Sequence, residues 1–151
     1  MRYRLGRAAL AALAFPLLLT ACDSGGPDSI DVSALEAAFD CDVRAISTDA
    51  NVSGSLAAGD CQLDDDSFID YYAFEIDETA SVYIEHSSSQ VDPYLFLFSP
   101  SGALLDQNDD VSEGNLNAAI ERTLQAGIYA IGANSFDAGE VGAYSIRVSI
   151  D

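Results

Sequence analysis

Phe68-Ile69-Asp70-Tyr71-Tyr72-Ala73-Phe74-Glu75-Ile76 is the stretch that decides the fold. Phe68, Asp70, Tyr72, Phe74 and Ile76 share one parity of an alternating run. That alternation is the signature of a strand with one face on a core. The pattern recurs along the chain. Ser81 to His86 continues it with Val82 and Ile84, and Pro93 to Phe98 is apolar on both faces. Asn117 to Leu124 alternates through Ile120, and Gly127 to Ala133 is rich in Ile and Tyr. Tyr144, Ile146, Val148 and Ile150 form the last apolar face, with Ser145, Arg147 and Ser149 opposite. Turn signals separate the runs: Ala58-Gly59-Asp60, Asp77-Glu78, Pro100-Ser101-Gly102, Asn108-Asp109-Asp110, Ala126-Gly127 and Ala138-Gly139. Short strands at this spacing predict an all-β chain built as an antiparallel β-sandwich.

The composition around these strands limits the function. The chain has 151 residues, with 25 acidic side chains against 6 basic ones, all Arg, and a net charge of −19. Phosphate binding needs a Lys/Arg patch, so nucleic acid is excluded as a partner. An anionic membrane surface is disfavoured for the same reason. A hydrophobic content of 49% is ample for a packed core, so the acidity does not signal disorder. The length suits one domain.

Residues 1–21 differ from the rest of the chain. Arg2, Arg4 and Arg7 precede an apolar run from Ala8 to Leu19 that only Pro16 interrupts. This is the pattern of an export signal, too short for a permanent membrane span. Leu19-Thr20-Ala21-Cys22 resembles the bacterial lipobox, which implies lipidation of Cys22 and a protein held by its acyl chains at the cell envelope. Asp23 resembles an inner-membrane retention signal of enteric bacteria, a rule that does not carry between phyla, so the choice of membrane stays open. Cleavage before Cys22 leaves 25 acids against Arg44, Arg122 and Arg147, a formal charge of −22. Two conditions relieve the self-repulsion: bound divalent cations, or a saline environment of the kind a halophilic source provides.

Residues 22–40 read as a polar tether followed by a short helix. Val32, Leu35, Ala38 and Phe39 have helical spacing, with Asp31 or Ser33 as the cap. Residues 41–151 make up the sandwich. Once Cys22 is lipidated, Cys41 and Cys61 are the remaining thiols, and in an exported protein they are expected to form a disulfide.

A series of motifs then matches a known family in order: Val52-Ser53-Gly54-Ser55-Leu56, Asp70-Tyr71-Tyr72-Ala73-Phe74, Val91-Asp92-Pro93-Tyr94-Leu95-Phe96-Leu97-Phe98, Gly102-Ala103-Leu104-Leu105, Asn108-Asp109-Asp110, Leu124-Gln125-Ala126-Gly127-Ile128-Tyr129 and Gly142-Ala143-Tyr144-Ser145-Ile146-Arg147-Val148. From about residue 50 to the end, the chain resembles the bacterial pre-peptidase C-terminal domain. That family is jelly-roll-like and includes the collagen-binding modules of collagenases. The resemblance implies a non-catalytic module with a role in secretion, polymer binding or calcium binding. Members usually trail a secreted peptidase, whereas these residues carry none.

Calcium takes six to eight oxygens, which clustered Asp on loops can supply. One candidate set is Asp64, Asp65, Asp66 and Asp70, joined by Asp40 and Asp42, as in the calcium-binding members that the chain resembles. A second is Asp106, Asn108, Asp109 and Asp110, read as a turn after Leu104-Leu105. Neither has EF-hand spacing. The alternative for both is a solvated acidic loop. The sole His, His86, is read as a strand-end residue at a turn rather than part of a triad, since nothing resembles a nucleophile elbow. A small hydrolase is therefore discounted.

Tyr94, Phe96 and Phe98 occupy one parity of their run, and Leu95 and Leu97 the other. If the Leu pair points inward, the aromatics form an outward stripe suited to a polymer or protein partner. The alternatives are burial in a central strand or cover by a helix or loop. The sequence thus predicts a lipid-anchored, non-catalytic binding module for an extracellular polymer or envelope protein, stabilised by Ca2+. The alternative is an accessory subunit docking an exported enzyme such as a peptidase.

Overall fold

The computed structural model describes residues 30–151. The signal segment and the expected lipidation at Cys22 lie outside the described residues. A helix, α1 (Ser33–Phe39), is followed by ten strands: β1 (Val43–Ala45), β2 (Asn51–Leu56), β3 (Cys61–Gln62), β4 (Phe68–Ile76), β5 (Ala80–Ser88), β6 (Pro93–Phe98), β7 (Leu104–Asn108), β8 (Ala118–Leu124), β9 (Gly127–Ser135) and β10 (Gly142–Ile150). They form two facing sheets, a β-sandwich. One has the order β1-β4-β9-β6-β7 with β3 also on β4, and the other has the order β2-β10-β5-β8. All pairings are antiparallel except β1 on β4.

The alternation of β4 sets its two faces. Tyr72, Phe74 and Ile76 enter the core between the sheets, with Ile84, Leu95, Leu97, Ile131, Ile146 and Val148. The opposite parity is also covered. Ile69, Tyr71 and Ala73 pack outside the first sheet beneath Leu35 and Phe39 of α1. A seven-residue helix is marginal alone. Here burial of Leu35 against the sheet holds it, and the Asp31 carboxylate accepts the Ser33 N–H at 3.1 Å. Val32, rather than Asp31 or Ser33, occupies the cap position, without a side-chain cap bond.

The free edge of β4 carries two short strands in series. β3 pairs at Phe68 and Ile69, and β1 at Tyr71 to Ala73. The Cys41–Cys61 disulfide joins the chain before β1 to β3, across a sequence separation of 20. The bridge therefore staples both strands to one edge.

Candidate functional site

The β6–β7 hairpin pairs Leu95 with Asn108. Antiparallel pairing carried past that register brings the residue before β6, Asp92, to the pair after β7, Asp109 and Asp110. Their carboxylate oxygens lie within 4.8 Å of one another. The backbone of Asp92 also ties in the loop between β9 and β10. Its N–H donates to Glu140 Oε2 at 3.1 Å, and its carbonyl accepts the Phe136 N–H at 2.8 Å. Oδ1 of Asp92 and Oδ1 of Asp109 are shielded from solvent and have no hydrogen-bond partner. Burial, then repulsion from Asp109, Asp110, Glu140 and Asp137, raises the Asp92 carboxyl above the usual range. Burial and Asp110 raise that of Asp109.

Three acidic side chains with two orphaned, shielded oxygens make a hard-oxygen donor set. It fits calcium, with carbonyls or water completing the shell, and contains none of the His or Cys that zinc prefers. The expected second set is thus re-formed. Asp106 and Asn108 lie on β7 rather than in a turn. Asp106 pairs with Arg122 at 3.3 Å, and Asn108 Oδ1 accepts the Ala119 N–H at 3.0 Å. Asp92 takes their place. Its sequence signal was an Asp opening one arm of a hairpin whose other arm ends in Asp-Asp, which becomes visible only once the hairpin register is fixed.

The first expected set does not assemble. Among the described residues, Asp92, Asp109 and Asp110 are the sole group of three or more His, Cys, Asp or Glu side chains brought together in this way. Asp42 and Asp70 line a hollow of about 470 Å³ with Arg44, Asp60 and Tyr72, whereas Asp64 and Asp65 line a different one beside Phe39. Asp40 caps α1 in the left-handed region. Asp65 is occupied by the Ser67 N–H and hydroxyl, at 3.0 and 2.6 Å. The Asp66 carbonyl accepts the Gly139 N–H at 3.1 Å. Asp70 sits on the inward parity, as its strand dictates, but its carboxylate accepts the Tyr144 hydroxyl, which is 2.7 Å from that of Tyr72. Burial is the main cause raising the Asp70 carboxyl, and the bond from Tyr144 opposes it.

Leu95 and Leu97 are fully buried, so Tyr94, Phe96 and Phe98 lie on the outer face of the first sheet. Helix α1 covers one end of this row. Phe39 stacks on Tyr71 at 4.2 Å between centroids and meets Phe98 edge-on at 5.0 Å. From Phe98 the row runs through Phe96 and Tyr94 to Phe136, with centroids 5.9, 4.9 and 6.4 Å apart. Phe96 and Tyr94 are half-buried, and Phe136 is 55% exposed. Phe136, a loop residue outside every alternating run, extends the row to the acidic end. Gly132 lies opposite Phe96 on β9, and a Cβ there would meet Ile69 Cδ1 at 2.8 Å and Phe98 Cε2 at 3.2 Å. The absent side chain lets the rings lie against the sheet.

His86 is not at a strand end. It lies within β5, opposite Ile146 and Ala118, and is fully buried because it continues the inward parity of Val82 and Ile84. Nδ1 lies 3.2 Å from the Tyr94 carbonyl, and Nε2 has no partner. Burial lowers its pKa to about 4, so the ring is neutral and donates from Nδ1.

Neither a family model nor a curated relative matches the chain. Solved structures do. The pre-peptidase C-terminal domain of collagenase from Bacillus anthracis superposes with a TM-score of 0.57 at 19% identity, covering 72% of this chain and 96% of that one. PliG of Aeromonas hydrophila, a periplasmic inhibitor of g-type lysozyme, gives 0.52 at 17% identity, covering 72% and 97%. Likeness at such identity is a likeness of fold. The chain has the β-sandwich fold of a pre-peptidase C-terminal domain.

Proposed function

We propose that this protein is an exported, non-catalytic binding module, anchored at the bacterial cell envelope through Cys22, and that it binds an extracellular polymer or envelope protein. The carrying observation is the convergence, at one end of the sandwich, of the open aromatic row and the Asp92–Asp109–Asp110 cluster. Half-exposed aromatic rings in line suit a sugar or peptide chain laid along the sheet. Calcium on the three Asp side chains would neutralise their repulsion and join the β5–β6 and β7–β8 loops. The disulfide supports export, since such bonds persist outside the cytoplasm.

The test is retention of the full chain, in detergent micelles, on purified cell-wall sacculi and on collagen. A Tyr94→Ala/Phe96→Ala variant is expected to lose retention at least tenfold, while Tyr83→Ala, exposed on the other sheet, retains it. Equal retention of all three proteins would remove the aromatic row from the binding surface. A second reading, docking onto an exported enzyme, gains support from the PliG likeness, because that protein inhibits an enzyme. A stoichiometric enzyme partner in membranes solubilised from the source cells would favour it over polymer binding.

A further inference from the structure

The large apolar side chains that remain exposed are unevenly placed. Among the described residues they are Tyr83, Leu104, Val111, Leu116, Phe136 and Val141. Val111 and Leu116 lie on the β7–β8 loop, and Phe136 and Val141 on the β9–β10 loop. All four are between 45% and 55% exposed. These are the two loops that meet at Asp92. Asp137 and Glu140 are also in this region, close enough to act electrostatically on Asp92. Apolar tips around an acidic centre are what an interface presents before its partner arrives, with hydrophobic contact around a desolvated polar anchor.

Charge decides the occupant. A chain of net charge −19 repels nucleic acid, an anionic bilayer and a second copy of itself. A basic protein is attracted over long range and pairs its cations with these acids. Arg suits the position best, because its planar guanidinium binds carboxylates in a bidentate manner and stacks on an aromatic face such as Phe136. We propose that the loop end of the sandwich docks a basic protein, with an Arg side chain held by its acids and Val111, Leu116, Phe136 and Val141 forming the surrounding apolar rim. With calcium on the three Asp side chains, Asp137 and Glu140 remain for the partner. The proposal rests on the binding-module reading and names the partner's chemistry.

The test measures affinity of the full chain in detergent micelles for a synthetic peptide alternating Arg and Leu. A Gly-Ser peptide of equal Arg content serves as the charge-only comparison. Phe136→Ser/Val141→Ser removes the β9–β10 half of the rim without changing charge and is expected to weaken binding of the Arg-Leu peptide at least tenfold. Tyr83→Ser/Leu104→Ser, exposed elsewhere, should match wild type. Asp137→Asn/Glu140→Gln should weaken binding more than Asp77→Asn/Glu78→Gln, which neutralises the β4–β5 turn. All these positions but the half-buried Glu140 are exposed, Gln at 140 keeps an oxygen for the Asp92 N–H, and an unchanged circular dichroism spectrum confirms folding. Equal loss in paired variants, equal affinity for the two peptides, or adsorption to phosphatidylglycerol vesicles in preference to the peptide would overturn the proposal. If the rim variants match wild type while Tyr94→Ala/Phe96→Ala still abolishes polymer retention, this inference fails and the module reading stands.

Discussion

His86 carries the clearest single-residue consequence. Its folded pKa is about 4, against about 6.5 for an unperturbed His. Between those values the unfolded chain binds a proton that the folded one refuses, so stability falls as the pH drops from about 6.5 toward 4. The loss should reach about 3 kcal/mol near pH 4. The raised carboxyls of Asp70, Asp92 and Asp109 work in the opposite sense, because their protonation relieves the folded state. Denaturant titrations of wild type and His86→Phe at pH 7 and pH 4 separate the two. The gap between the proteins should move by about 3 kcal/mol in favour of the variant at pH 4, and a constant gap would show that folding does not lower the pKa of His86. Gly54 makes a steric counterpart. A Cβ there would collide with the Tyr144 ring and sit 2.6 Å from the Tyr72 hydroxyl. Gly54→Ala should cost about 1–3 kcal/mol, read from urea midpoints.

The longer elements were legible in the sequence because their parity is strict. Tyr72, Phe74 and Ile76 alternate cleanly, and β4, β5, β6, β8, β9 and β10 lie where their apolar runs place them. What escaped were the pieces whose partners are distant. β1 and β3 hold three and two residues, too few for a period, and exist because the edge of β4 accepts them. β7 carries Asp106 and Asn108, which read as a turn, yet pairing with β6 makes them a strand. The candidate site was half legible for that reason. Asp109 and Asp110 stood out as a pair, while Asp92 needed the hairpin register. Loss of the Cys41–Cys61 bridge should release β1 and β3 together. Cys41→Ser/Cys61→Ser is expected to cost about 3 kcal/mol in a urea titration. Hydrogen exchange should quicken first at Val43–Ala45 and Cys61–Gln62, and exchange quickening uniformly instead would contradict the edge-staple role.

At the scale of the whole molecule, the proposed calcium site and the proposed binding surface share one end of the sandwich. An acidic chain gathers three carboxylates where two loops and the aromatic row meet, so on the proposed reading cation binding there and partner binding beside it would be coupled through Asp92. Sodium chloride screens the general repulsion of the surface, whereas a site specific for calcium responds at fixed ionic strength. The most direct measurement is therefore the thermal midpoint of the full chain in calcium and in chelator, at constant ionic strength, for wild type and Asp92→Asn. With the ion at about one hundred times its Kd, wild type should gain about 2.7 kcal/mol, a rise on the order of 10 °C. Asp92→Asn should lose the shift and, in chelator, melt at or above wild type because one repelling charge is gone. A midpoint indifferent to calcium in wild type, or a shift that Asp92→Asn leaves intact, would contradict a calcium site at this end of the sandwich.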